Sequence, residues 1–263
     1  MSVEKPEITV TVLGSGTCVP SLARSSCSVM LEVGNNRLLF DSGPGTMRRL
    51  LRTSTTIFEV DFIFYSHFHP DHSAELVPFL FATKYPDMSQ RQTVLTIVAG
   101  GGFEDFFARL KGVYGKWIDL DPELVEIIEM NNQAADSLRL KAFRVQSTPV
   151  EHNPESIAYR ITSTGGYSIV YSGDTDYSEN LIVLSKGADL LICESALPDD
   201  LHLKGHLTPS LAGNIATRAG VKKLVLTHFY PECDQADIEQ ECRKTYNGPL
   251  VLAEDLMRIE VPG

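Results

Sequence analysis

In residues 65–75, "YSHFHPDHSAE", three histidines and one aspartate fall within six consecutive positions: His67, His69, Asp71 and His72. Imidazole and carboxylate are donors that zinc accepts, and manganese or iron take the same set. The apolar run at residues 60–65 reads as a buried strand leading into the cluster. Residues two apart on an extended segment point the same way, so His67 and His69 can meet one ion together. Asp71 and His72 follow Pro70, where the chain turns toward a helix, and are placed for a second ion. A single histidine at a strand end is an ordinary surface residue. This density of donors is not.

A binuclear centre needs further ligands, and the same grammar supplies them. His152 follows "RVQSTPVEH", Asp174 follows "YSIVYSGDT" and His228 follows "KKLVLTH". In each case an apolar strand ends at a residue able to hold a metal, and ligands collect at strand ends in open α/β sheets. His202 and His206 lie instead in the loop "DLHLKGHLTP", a context that suits a substrate-facing or catalytic residue.

The elements that must hold these residues alternate along the chain. Strands are expected at residues 8–13, 28–33 and 37–40, the last two as a hairpin around "GNN". Further strands are expected at 60–65, within "QTVLTIVAG", and at 137–143, 157–162, 167–171 and 189–193. Two more fall within "KKLVLTHFY" and "PLVLAED", the latter taken as the final strand. Helices are expected after Pro44, in "AELVPFLFATKY" with Pro78 as a kink or delay, in "GGFEDFFARLKGVYG" and at 179–185. "TPSLAGNIATRAG" and "ADIEQECRKTY" complete the set. Strands and helices interleave through both halves without a linker, so the expected architecture is one α/β domain over residues 1–263 built from two similar halves.

Composition narrows the function classes. A net charge of −11 argues against broad electrostatic binding of nucleic acid. The five cysteines form no CxxC pair and fit reduced thiols in a cytoplasmic protein. The start "MSVEKPEITV" is a short polar stretch running into a strand, without a signal sequence, and no apolar run suits a membrane. "LGSGTCVP" lacks the third glycine of a dinucleotide fingerprint, and no GxSxG supports a serine nucleophile. Phe103, Phe106, Phe107 and Leu110 follow helical spacing and are expected in a core, whereas Tyr114 and Trp117 are open to a place in the substrate pocket.

"HFHPDH" resembles the HxHxDH signature of the metallo-β-lactamase fold, and the likeness extends through "LLFDSGPGTMRRLL", "YSGDT", "CESA" and "GHLTPSLAGNIATRAGVKKLVLTHFYP". These pieces are most similar to the tRNase Z and phosphodiesterase branch. The resemblance implies a four-layer αβ/βα sandwich and two zinc ions. His67, His69 and His152 would bind the first ion, Asp71, His72 and His228 the second, and Asp174 would bridge them. Asp71, His206 and Glu194 are the catalytic residues it implies, with Glu194 pairing His206 so that the imidazole can protonate a leaving oxygen. Asp41 in "LLFDSG" is expected to orient a ligating histidine. Di-iron relatives carry Glu at the second motif position, so His69 argues against redox chemistry. Homodimers are common in the resembled family.

The expected activity is hydrolysis of a small phosphodiester or nucleotide by hydroxide shared between the metals, which stand about 3.5–4 Å apart in such sites. Lactone, thioester or β-lactam hydrolysis on the same metals is the first rival, and a non-catalytic metal-bound sensor the second. Processing of tRNA 3′ ends is disfavoured: the segment from His152 to Asp174 reads as strand, "STGG" turn, strand, with no basic arm.

Overall fold

The computed structural model describes residues 6–85 and 91–261; the polar start of the chain lies outside them. Among these residues the strands form two seven-stranded sheets. The first is built from β1 (Ile8–Gly14), β2 (Ser28–Val33), β3 (Asn36–Phe40), β4 (Phe62–Tyr65), β5 (Leu95–Gly100) and β6 (Val125–Met130). The second holds β7 (Asp136–Arg139), β8 (Phe143–Pro149), β9 (Ile157–Ser163), β10 (Ser168–Tyr171), β11 (Leu190–Glu194), β12 (Leu224–Thr227) and β13 (Leu250–Leu252). β14 (Arg258–Val261) returns to the first sheet and pairs antiparallel with β1.

The two sheets repeat one pattern. β14, β1, β2 and β3 run antiparallel in that order, and β4, β5 and β6 add on in parallel. β7, β8, β9 and β10 run antiparallel, and β11, β12 and β13 add on in parallel. The chain therefore has two similar halves, with the first strand of the first half supplied by the C-terminal end.

Both faces of the central strands are covered, which is why they read as continuous apolar runs. Leu38, Phe40, Phe64 and Val98 face the second sheet, and Phe40 stacks on Phe64 at 4.7 Å with Tyr159 edge-on to both. Leu39, Ile63, Tyr65 and Ile97 face outward against α1 (Thr46–Arg52), α3 (Leu76–Lys84) and α4 (Phe103–Tyr114). α5 (Glu179–Leu184) and α6 (Pro209–Ala219) cover the second sheet, and α7 (Ile238–Arg243) packs on α6. The result is two mixed sheets flanked by helices, an α/β sandwich.

Two expectations are corrected and one is narrowed. Residues 137–143 are not one strand: β7 and β8 form a hairpin that turns at Leu140–Ala142, where no glycine or proline marks it. β6 and β14 were not anticipated, so "PLVLAED" holds β13 rather than the final strand. Of the two effects expected of Pro78, the structure has the delay: α3 begins at Leu76, with Pro78 in its first turn, where its missing N–H has no helical partner to lose.

Candidate metal centre

β4 ends at Tyr65, and Ser66 leads the chain beyond the sheet edge to His67 and His69. Pro70 then opens the one-turn helix α2 (Pro70–Ser73), with His69 preceding its first turn. That helix sets Asp71 and His72 beside His228, with the His72 ring still 4.2 Å from that of His67. From the second sheet, His152 enters from the β8–β9 loop, Asp174 from beyond β10 and His228 directly after β12. Gly173 is required in the turn before Asp174: its φ is +58°, and a Cβ there would stand 2.4 Å from Ser66 Cβ. The two sheets close on each other through that contact.

Four groups of donors lie close enough to share an ion. His67, His69, His152 and Asp174 form one, and Asp71, His72 and His228 another; His206 with Asp174 and His228, and Cys27 and Asp41 with His72, form two more that overlap them. Asp174 reaches both of the first two. Its Oδ2 lies 3.7 Å from His67 Nε2 and 3.9 Å from His152 Nε2, while Oδ1 lies 3.2 Å from His72 Nε2 and 3.3 Å from His228 Nε2. Asp71 Oδ2 is 3.7 Å from the Nε2 atoms of both His72 and His228. His152 Nε2 stands 3.3 Å from His69 Nδ1, and His72 Nε2 stands 3.2 Å from His228 Nε2.

These residues fit metal ions on three counts. Donors bound at about 2.0 Å to a tetrahedral ion lie about 3.3 Å apart, and the donor pairs here stand 3.2 to 3.9 Å apart. His67 Nε2 and Asp174 Oδ1 are buried without a hydrogen-bond partner, which leaves their lone pairs free to meet an ion. Protonation matches at His67 and Asp174; at His72 burial is outweighed by Asp174 and Asp41, which hold the imidazole well above the ordinary histidine range, so an ion there would have to displace a proton. Burial, with His72 nearby, holds His67 well below the ordinary histidine range, which leaves a neutral imidazole. Burial opposes ionisation of Asp174, but His228, His72 and His67 hold its carboxyl well below the usual carboxylate range.

The nitrogens turned away from the cluster are held differently in different places. His72 Nδ1 donates to Asp41 Oδ2 at 2.7 Å. The same oxygen accepts Ser66 Oγ at 2.8 Å and Tyr171 OH at 2.7 Å, and Asp41 Oδ1 accepts Ser66 N–H at 2.8 Å. Because the Ser66 hydroxyl donates to Asp41, it accepts from His67 Nδ1 at 3.0 Å. Asp41 thus orients His72 directly and His67 through one hydroxyl. His69 Nε2 meets the Asn153 amide at 2.9 Å, and His152 Nδ1 donates to the Gly205 carbonyl at 2.8 Å.

Beside this cluster, His206 Nδ1 lies 3.0 Å from Glu194 Oε1. Glu194 is fully buried and fixed by the backbone N–H groups of Thr175 and Leu207. Burial pulls His206 down, but the hydrogen bond and charge of Glu194 outweigh it and raise the imidazole to about 9. With Nδ1 committed to Glu194, Nε2 is the nitrogen left to face a leaving group. Tyr230 sets its ring edge-on to His206 and His228 at 6.4 and 6.3 Å. His202 does not enter the cluster; it donates to the His206 carbonyl at 3.0 Å.

The structure thus brings His67, His69, Asp71, His72, His152, Asp174, His206, Glu194 and His228 to one end of the sandwich. The sequence did not point to Ser66, Asn153, Tyr171, Asp176 or Gly205, whose contacts hold these residues; only the adjacency of Asn153 to His152 was a signal. Tyr114 and Trp117 are half exposed and line a separate apolar cleft of about 420 Å³ with Val77, Pro78, Phe81 and Ile118. None of the nine residues above lines it.

Comparison with known proteins agrees with this geometry. Residues 36–229 match the β-lactamase superfamily domain model. The chain is 32% identical to ribonuclease Z 1 of Schizosaccharomyces pombe over 276 residues, covering 89% of this chain but only 33% of that protein. It is 29% identical to the ribonuclease Z of Halorubrum lacusprofundi over 304 residues, covering 96% of this chain and 97% of the relative. The metallo-β-lactamase fold protein YhfI from Bacillus subtilis superposes with a TM-score of 0.82 at 25% identity, covering 97% of this chain and all of that one.

Proposed function

This chain belongs to the β-lactamase superfamily, in its ribonuclease Z-like branch, and is a metal-dependent hydrolase; from that premise we propose that it cleaves phosphodiesters of small molecules or nucleotides at a binuclear centre. His67, His69 and His152 would hold one ion, Asp71, His72 and His228 the other, with Asp174 between them. When bound, such ions polarise the phosphoryl group and lower the pKa of water. Zinc suits the donor set, as do manganese and iron.

The pair His206–Glu194 carries the choice of bond. An alkoxide leaving phosphorus needs a proton, and His206 holds one beside the cluster, with Glu194 fixing the ring and stabilising its charge. A thiolate released from a thioester has less need of such a donor. The alkoxide of a lactone and the nitrogen of a lactam need one too, so the pair separates diesters from thioesters, and the substrate panel must separate them from lactones and lactams. Asp71 would orient the attacking side of the centre together with His228.

Two observations favour a small substrate. The β9–β10 hairpin turns within Thr164–Tyr167, leaving no arm between His152 and Asp174. The net charge is −11. A second reading, cleavage of tRNA precursors, is favoured by the names of the relatives. Yet the alignment to the Halorubrum lacusprofundi ribonuclease Z runs to 304 residues against a chain of 263, so that relative carries stretches without a counterpart here.

Metal analysis of the purified protein with a substrate panel tests this. We expect turnover of bis-aryl phosphates and of nucleotide diesters, and little cleavage of a tRNA precursor. Opening of lactones with no diester turnover would overturn the reading, and efficient precursor cleavage would replace the small substrate by RNA.

A further inference from the structure

The loop His202–His206 does two things within two residues. The Gly205 carbonyl orients His152, a candidate ligand of the first ion, and the next residue, His206, pairs with Glu194. The same peptide is held from the other side. Asp176 Oδ2 accepts the Gly205 N–H at 2.9 Å, and Asp176 Oδ1 lies 3.4 Å from His202 Nε2, the nitrogen that donates to the His206 carbonyl. Asp176 is itself anchored to the strand-end segment carrying His152, because its N–H donates to the Glu151 carbonyl at 2.7 Å. Its Oδ1 also accepts the Tyr177 N–H at 2.7 Å. Gly205 has φ +91°, and a Cβ there would stand 3.2 Å from His152 Nδ1, so the peptide approaches the imidazole as closely as glycine permits.

We propose that Asp176 is a positioning residue that couples the first ligand set to the proton donor by clamping the His202–His206 loop. One carboxylate fixes both ends of that loop, so a shift of Gly205 displaces the partner of His152 and the backbone of His206 together. Hydrogen bonds of this outer kind are worth about 10–100-fold in metal affinity or activity when removed. Misplacement of a reacting group by about 1 Å costs about 100-fold in rate. The coupling rests on the binuclear reading above, in which His152 is a ligand and His206 the donor.

The test compares Asp176→Ala, Asp176→Asn and His202→Ala in the full chain. Metal affinity is read by chelator competition with cobalt and its absorption spectrum, and kcat and KM are read on a diester. Asp176→Ala is expected to weaken one of two cobalt sites about tenfold or more and to lower kcat with little change in KM. Asp176→Asn can still accept the Gly205 N–H and should restore most of the affinity. His202→Ala, which leaves the Gly205 bond intact, should lower kcat while both cobalt sites keep their affinity. Equal weakening of both sites, or a loss of thermal stability with cobalt affinity unchanged, would overturn the clamp. Cobalt affinity needs no substrate, so failure of the diesterase reading leaves this outcome separately readable.

Discussion

The two halves share one strand pattern and put different residues at matching strand ends. Beyond β3 stands Asp41, and beyond its counterpart β10 stands Asp174. Asp41 follows Phe40 directly, with φ +55°, and stays one layer behind His72. Asp174 is carried three residues past Tyr171 by the Gly173 turn and reaches the middle of the cluster. Beyond β4 comes the run His67 to His72; β11 ends on Glu194 and is followed by the loop that brings His206. Beyond β5 lie Gly101 and Gly102, and beyond β12 lies His228. The scaffold therefore fixes where chemistry happens, and the length and turn of each loop decide whether a residue binds, supports or donates.

The sharpest way to break this comparison is at the ends of β4 and β11, which carry ligands in one half and a proton donor in the other. His206→Ala should lower turnover of an alkyl diester by about 10²–10⁴-fold while leaving two metals bound, as measured by metal analysis and steady-state kinetics. Loss of a metal would make His206 a ligand, and the two strand ends would then do the same job.

Next in size is Asp41. It is fully buried and accepts from Ser66, His72 and Tyr171. A carboxylate behind an imidazole raises its basicity and fixes its tautomer. Asp41→Asn should weaken metal binding toward the upper end of about 10–100-fold, because the amide removes the charge behind His72 and turns one acceptor into a donor. It should also destabilise the metal-free fold by about 1–3 kcal/mol, since buried donors then lack a partner. Chelator competition and thermal melting check the two effects. The second half offers no equivalent: His152 leans on a neutral carbonyl, and His228 Nδ1 is buried without a partner.

The same asymmetry decided what was legible beforehand. Four donors at the end of one apolar strand announce themselves, because spacing and local geometry suffice. Asp174 and His228 were readable for a related reason, each ending an apolar strand. The supports were not. Asn153 meets His69 across 84 positions and Asp176 meets Gly205 across 29, so only the folded chain pairs them. Strand errors have the same origin. β6, "VEIIEM", carries acids within a half-buried strand, and β14 is four residues long and made into a strand by pairing with β1. The β7–β8 turn passes through "LKA" without a residue that breaks a strand.

The smallest effect expected lies at Asn153, and it sharpens the comparison most finely. His69 Nδ1 faces His152 Nε2 at 3.3 Å within the cluster. The structure places Asn153 Nδ2 2.9 Å from His69 Nε2. To offer a lone pair from Nδ1, His69 must carry its proton on Nε2, and a half-turn of the amide then presents its oxygen as the acceptor. Asn153 is then a neutral version of Asp41, accepting from the outer nitrogen of a candidate ligand. Asn153→Ala should weaken one metal site by about tenfold, at the low end of the range for such partners. Asn153→Asp should do the reverse, because a carboxylate would give His69 the support that His72 already has, and binding at that site should tighten by a few-fold. Nitrogen-15 spectra of the imidazole should show the proton on Nε2 in both the native chain and the Asp variant. If both variants bind metal as the native chain does, the charge behind an imidazole does not separate the two halves, and the Asp41 effect must come from packing alone.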